Sequence, residues 1–241
     1  MRIRLYDVTR ITRTGLVPHS AIDAEDGAIT AVYDTLPAEE PGVRSVDAKG
    51  AYAAPGFIDI HLHGGGGVEF MDATPERIRA GCVAHARHGT TTLLPTTLAA
   101  SPELTLRMIR AVRQAQAATT ECTIAGVHLE GPFLSPAQSG AQSPDALSLP
   151  TPGLWDRLLD EWPGGVRIMG AAPELPGAMA LGEALRARGV LPPGAGVRLY
   201  RYHPYLFRLF HGAPQKRLPL RRRGGGGAAG GCVHRSGHRR R

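Results

Sequence analysis

A chain of 241 residues, 42% hydrophobic and 20% charged, can bury a full core, which excludes a disordered protein. Its three cysteines (Cys82, Cys122, Cys232) lack close pairing, which excludes a disulfide scaffold and fits a reducing compartment. No basic-then-apolar leader and no apolar run of membrane-spanning length is present, so a cytoplasmic protein without a membrane partner is expected. The formal net charge of +7 does not describe the body of the chain. Residues after Val197 hold 12 of the 28 Lys+Arg and none of the 21 Asp+Glu, which leaves −5 for residues 1–197.

Residues 1–53 read as a small β-module, with Asp26-Gly27 as a hairpin turn between two strand-like runs. From Pro55 the pattern changes to alternating strands and helices. Residues 57–63 form the first buried strand. Thr74-Pro75 then caps a helix that ends at Gly89. TTTLLPTT (90–97) is a second strand, with Pro95 expected to mark its end. Ser101-Pro102 opens a second helix that buries Leu104, Met108, Ile109, Val112 and Ala115 at helical spacing. Residues 123–129 form a third strand, and Thr151-Pro152 starts a helix burying Leu154, Leu158, Leu159 and Trp162. A fourth strand (166–171) and a helix from about Pro176 to Arg188 complete the series. Four β/α units of ~30 residues predict a parallel sheet with crossover helices, about half of an eight-unit barrel. Residues 54–190 are thus expected to form the first half of a (β/α) barrel, an α/β fold. Residues 191–241 form a basic Gly/Arg-rich tail, expected to be disordered.

The chemistry concentrates in PGFIDIHLHGGGG (55–67) and GVHLEGPFLSPAQSGAQ (126–142). A strand alternates its faces, so His61 and His63 point the same way, and two imidazoles at a strand mouth suit a divalent metal. The competing reading is a polar strand end followed by a turn. Glu130 lies just past the third strand, before the rigid turn Gly131-Pro132. Strand ends converge on one rim of a parallel barrel, so Glu130 can join the histidines, and a carboxylate with imidazoles suits Zn²⁺. Alone, it would be a solvated loop carboxylate. His128 is expected to orient ligands, whereas His85 and His88 read as surface or helix-end residues. His203, His211, His234 and His238, and the Cys232-x-His234 pair, read as solvated tail groups. The glycine run 64–67 permits close approach of substrate or backbone; a phosphate cradle is disfavoured because no lysine follows.

PGFIDIHLHGGGG, GTTTLLPTT, GVHLEGPFLSPAQSGAQ and APEL, in that order and spacing, resemble the amidohydrolase superfamily, and within it the N-acetylglucosamine-6-phosphate deacetylases. H-x-H is common to many amidohydrolases. HLEGPF followed by G-A-Q is narrower, since it puts a glutamate ligand where dihydroorotase and hydantoinase relatives carry a bridging lysine. The resemblance covers residues 1–190. It implies an amidohydrolase-type TIM barrel with a divalent metal, Zn²⁺ first. Glu130 would be a primary ligand, His61 and His63 would hold a second metal, and Ala141 and Gln142 would line the sugar pocket through backbone groups. The implied reaction is metal-assisted hydrolysis of an amino-sugar phosphate, N-acetylglucosamine 6-phosphate, in a homo-oligomer.

The resemblance also implies a later strand carrying G-H-S, then a strand with a further ligand histidine and an asparagine, and later still a catalytic aspartate. None is present, and no acidic residue follows Glu183. The chain as written therefore holds no catalytic residue of that pattern, and little or no turnover is expected. Other readings are a dihydroorotase-like cyclic amidase, an inactive fragment or a basic-tailed binding protein. The tail itself reads either as a nucleic-acid arm or, preferred here, as the product of a reading-frame shift in GC-rich DNA.

Overall fold

The structure is a computed structural model and describes residues 1–71 and 73–192. The expectations for the tail from residue 193 onward, with His203, His211, His234, His238 and Cys232, lie outside the described residues.

The N-terminal segment folds as a five-stranded sheet of β1 (Arg2–Thr12), β2 (Gly15–Glu25), β3 (Ala28–Tyr33), β4 (Arg44–Asp47) and β5 (Tyr52–Ala53). Its order is β3-β2-β1-β4, with β5 also on β1. The β2–β3 turn is made by Asp26 (φ 51°) and Gly27 (φ 80°), the two left-handed residues of a tight hairpin. A thin sheet cannot bury much apolar surface, and this one buries an ion pair. Asp23, with 0% of its surface exposed, takes Arg4 Nε at 2.7 Å and Nη2 at 2.9 Å, and Arg2 Nε at 3.1 Å. These guanidinium groups hold the Asp23 carboxyl well below the usual carboxylate range, Arg4 first, with burial opposing.

The second sheet contains β6 (Phe57–Leu62), β9 (Thr90–Thr97), β10 (Thr123–Ile124), β11 (Val127–Phe133) and β12 (Val166–Ala171), all parallel. A two-stranded hairpin, β7 (Gly64–Gly65) and β8 (Val68–Glu69), follows β6. The helices are α1 (Pro75–Ala86), α2 (Pro102–Ala118), α3 (Pro152–Asp160) and α4 (Ala178–Ala187). The first two start where a hydroxyl precedes a proline. Thr74 accepts from Arg77 N and Ser101 from Leu104 N, and the prolines occupy positions with no N–H to satisfy. The core lies between sheet and helices, where Leu93, Leu129 and Met169 meet Ile78, Ile109, Leu158 and Leu181. Each fully buried side chain of this size contributes about 1.5–3 kcal/mol. Among the described residues, no helix is long and apolar enough to cross a membrane.

Four sequence expectations need correction. The first strand is not buried: Phe57 is 71% exposed, because β6 pairs with β9 on one side only among the described residues. Pro95 does not end its strand. It sits inside β9 opposite Leu62, whose amide bonds Thr96 Oγ1 at 3.0 Å. The third strand is not continuous. Gly126, at φ 140° against the Gly165 carbonyl, separates β10 from β11. Glu130 and Gly131-Pro132 consequently lie inside β11 and not in a turn after it.

Candidate metal centre

Both strands that carry the predicted ligands are irregular where they carry them. In β6 the register shifts between Asp59 and Leu62, and in β11 between Leu129 and Phe133. Extra residues in a ladder bend the strand and re-aim side chains. His61 lies within the first irregularity and Glu130 within the second, where Gly131 supplies the φ of 102°.

The result is a triangle of electron-rich atoms. His61 Nε2 and His63 Nε2 are 3.1 Å apart, Glu130 Oε2 lies 3.1 Å from His63 Nε2 and 3.5 Å from His61 Nε2. His63 Nδ1 faces the Thr96 carbonyl at 3.2 Å, which places its proton there and leaves the Nε2 lone pair facing the cluster. Three such atoms repel unless a proton or a cation lies among them. The pKa of His61 is raised, by Glu130 first with burial opposing, and that of Glu130 is lowered, by His61 first with burial opposing. Both shifts express the same demand for positive charge. A tetrahedral ion with bonds of ~2.0–2.2 Å separates its ligand atoms by ~3.3–3.6 Å, close to what these three residues present. They form a His/His/Glu cluster suited to a divalent cation, and its side chains are partly open to solvent.

His128 stands behind the cluster. It is buried, its Nδ1 bonds the Ile60 carbonyl at 2.9 Å, and its ring meets that of His61 edge-on with centroids 5.0 Å apart. Burial pushes its pKa down to about 4, so it is neutral at pH 7. Ala141 is exposed, whereas Gln142 is buried and reaches Glu130. Its Nε2 donates to Glu130 Oε2 at 3.0 Å, and its Oε1 accepts from Ala99 N at 2.7 Å. Thr97 Oγ1 accepts from Glu130 N at 3.1 Å. The sequence reading missed the side-chain roles of Thr96, Thr97 and Gln142. The local signal for the threonines was their pairing at the end of β9, the strand between the two ligand-bearing strands, and the G-A-Q motif marked Gln142 without marking its side-chain partner.

The glycine run serves backbone packing. Gly66 (φ 58°) and Gly67 (φ 81°) make the turn of the β7–β8 hairpin, and a Cβ on Gly65 would stand 2.4 Å from His85 Nε2. That nitrogen bonds the Gly64 carbonyl at 2.8 Å. His85, in the last turn of α1, thus fastens the hairpin that follows His63, as a helix-end residue and not a ligand.

The N-acetylglucosamine-6-phosphate deacetylase of Lysinibacillus sphaericus is 29% identical over 194 residues, 78% of this chain and 48% of that protein. The N-acetylgalactosamine-6-phosphate deacetylase of Shewanella sp. (strain ANA-3) is 36% identical over 172 residues, 68% of this chain and 42% of that protein. The crystal structure of the Mycobacterium smegmatis N-acetyl-D-glucosamine-6-phosphate deacetylase superposes with a TM-score of 0.69 at 36% identity, covering 80% of this chain and 49% of that one. The chain spans about half the length of the relatives it matches. The sequence profile of the Amidohydrolase family matches residues 52–187, from β5 to the end of α4. Because that match takes in more than half of the chain, and every element that carries the cluster, the chain belongs to the Amidohydrolase family.

Proposed function

We propose that this chain carries the metal-holding part of a deacetylase site for N-acetylglucosamine 6-phosphate, a reaction that yields glucosamine 6-phosphate and acetate. The observation that carries the reading is the His61/His63/Glu130 triangle, with its glutamate inside HLEGPF. Its support is the deacetylase activity named for the relatives. Zn²⁺ is the preferred ion for two imidazoles and a carboxylate. When bound, such an ion lowers the pKa of water and polarises an amide carbonyl. The chain's own residues hold it and shape the pocket. Glu130, His61 and His63 supply the ligand atoms, neutral His128 props the His61 ring, and the backbone at Ala141 and Gln142 lines the sugar site.

No Asp or Glu follows Glu183, so the proton shuttle to the leaving amine that the resemblance calls for has no residue in this chain. Positioned acid–base groups typically contribute 10²- to 10⁴-fold, and we expect weak metal binding and little or no turnover from the 241-residue chain. A second substrate is favoured by one observation: the Shewanella relative, at 36% identity, is named for the galactosamine epimer. A homo-oligomer in the cytoplasm is the accompanying expectation.

The test is metal analysis of the purified chain together with acetate release from both N-acetylhexosamine 6-phosphates. Zinc taken up weakly when it is added, with little acetate released, is the expected result. Robust turnover would show that the sequence beyond Glu183 has been misread, hydrolysis of dihydroorotate would favour the cyclic amidase, and failure to take up any divalent ion would remove the metal reading.

A further inference from the structure

We propose that Gln142 is a positioning residue that fixes the Glu130 carboxylate toward the two histidines, and that metal affinity depends on it. This rests on the metal reading of the site. The orientation of the Gln142 amide follows from its neighbours. The Ala99 amide is a backbone donor, so the oxygen of Gln142 must face it at 2.7 Å, and the NH₂ group is then turned to Glu130 Oε2 at 3.0 Å. An amide in this orientation is a neutral, pH-independent donor to a carboxylate.

The bond falls on Oε2, the oxygen that also faces His61 and His63. A carboxylate oxygen has two lone pairs, so one can accept from Gln142 while the other points into the cluster. The main chain of Glu130 is held as well, by Thr97 Oγ1 at 3.1 Å. Glutamate has several rotatable bonds, and here both of its ends are tied. Gln142 is 8% exposed, and hydrogen bonds removed from water hold geometry more firmly than solvated ones. One side chain thereby joins three segments: Ala99 just after β9, Glu130 in β11, and the loop between β11 and α3. Groups of this kind, bonded to a ligand and not to the metal, typically change metal affinity or activity by 10- to 100-fold when removed.

The experiment uses the full chain. Zinc affinity is measured by competition with a chromophoric chelator, beside the absorption spectrum of the cobalt-loaded protein and the melting of the metal-free protein. Gln142→Met keeps length and removes both hydrogen bonds; it is expected to bind zinc about 10- to 100-fold more weakly and to alter the cobalt spectrum. Gln142→His offers one donor and one acceptor as a neutral imidazole and is expected to recover most of the affinity. Should the methionine variant not fold, Gln142→Asn, one methylene too short to span both partners, replaces it with the same expected loss. A folded methionine or asparagine variant that binds zinc as the wild type does, with an unchanged cobalt spectrum, overturns the positioning role and leaves the metal reading intact. A histidine variant as weak as the methionine one makes the loss a matter of packing and overturns it too. A wild-type chain that takes up neither zinc nor cobalt removes the metal reading, and this inference with it.

Discussion

Glu130→Gln removes the negative charge of the cluster while keeping its shape, and so separates charge from packing. The two imidazole nitrogens would then face an amide, and zinc affinity is expected to fall by at least about 10-fold, read by equilibrium competition. The metal-free protein should melt close to wild type, because Glu130 is only partly buried. Asp23 behaves in the opposite way, since its value is to the fold. Its carboxyl is depressed by Arg4 and Arg2, so the unfolded chain binds more protons than the folded one in the acid range. The stability it contributes is fully present above the unfolded value of about 4 and is lost as pH falls from there toward the folded value. The difference in urea midpoint between the wild type and Asp23→Asn should therefore be level from neutral pH to about pH 5 and shrink below it. The Asp23→Asn midpoint should be the lower one at pH 7, because Arg4 is left buried without its partner. No local sequence pattern marked this pair. Arg4 and Asp23 are 19 positions apart, and only the antiparallel pairing of β1 with β2, with Arg4 opposite Asp23, joins them.

At the scale of elements, the helix starts at Thr74 and Ser101 and the Asp26-Gly27 hairpin were legible because their causes are local. Ser101→Ala removes the acceptor for Leu104 N and should cost about 0.5–2 kcal/mol, measured by chemical unfolding. Gly65 and Gly67 are neighbours in the same run yet differ in kind. At Gly65 a methyl group would enter the space of His85, and Gly65→Ala should cost about 1–3 kcal/mol through overpacking. At Gly67 there is open space, so Gly67→Ala should cost only the left-handed backbone preference, about 1–2 kcal/mol. A Gly65→Ala variant as stable as the wild type would show that the hairpin is not clamped on α1. The irregularities in β6 and β11 were not legible. A bulge records the competition of two paired strands for register, and one strand's sequence holds half of that information.

For the whole molecule, the parallel sheet is the structure that brings the site together, and its weakest side is the β6 edge with Phe57 exposed. Leu93, fully buried on β9, the strand between β6 and β11, belongs to the core between sheet and helices. Leu93→Ala should destabilise the protein by about 2–5 kcal/mol in urea unfolding and weaken metal binding with it. The reading-frame proposal for the tail is tested in DNA. Translating the coding sequence around codons 188–198 in all three frames should reveal the missing G-H-S and later ligands, and an uninterrupted frame without them would revive the nucleic-acid reading.

The alternation of strand and helix, the capped helix starts, and the two short motifs H-x-H and HLEGPF were written in the sequence alone. Each depends on residues within a few positions of one another, where backbone geometry fixes direction. Tertiary structure alone decided that Glu130 sits in a bulge, that Thr96 and Thr97 hold the neighbouring backbones, and that Gln142 turns its amide onto the carboxylate. These contacts join segments 12 to 34 residues apart, and side-chain chemistry does not choose among such partners until the sheet has brought them within hydrogen-bonding distance.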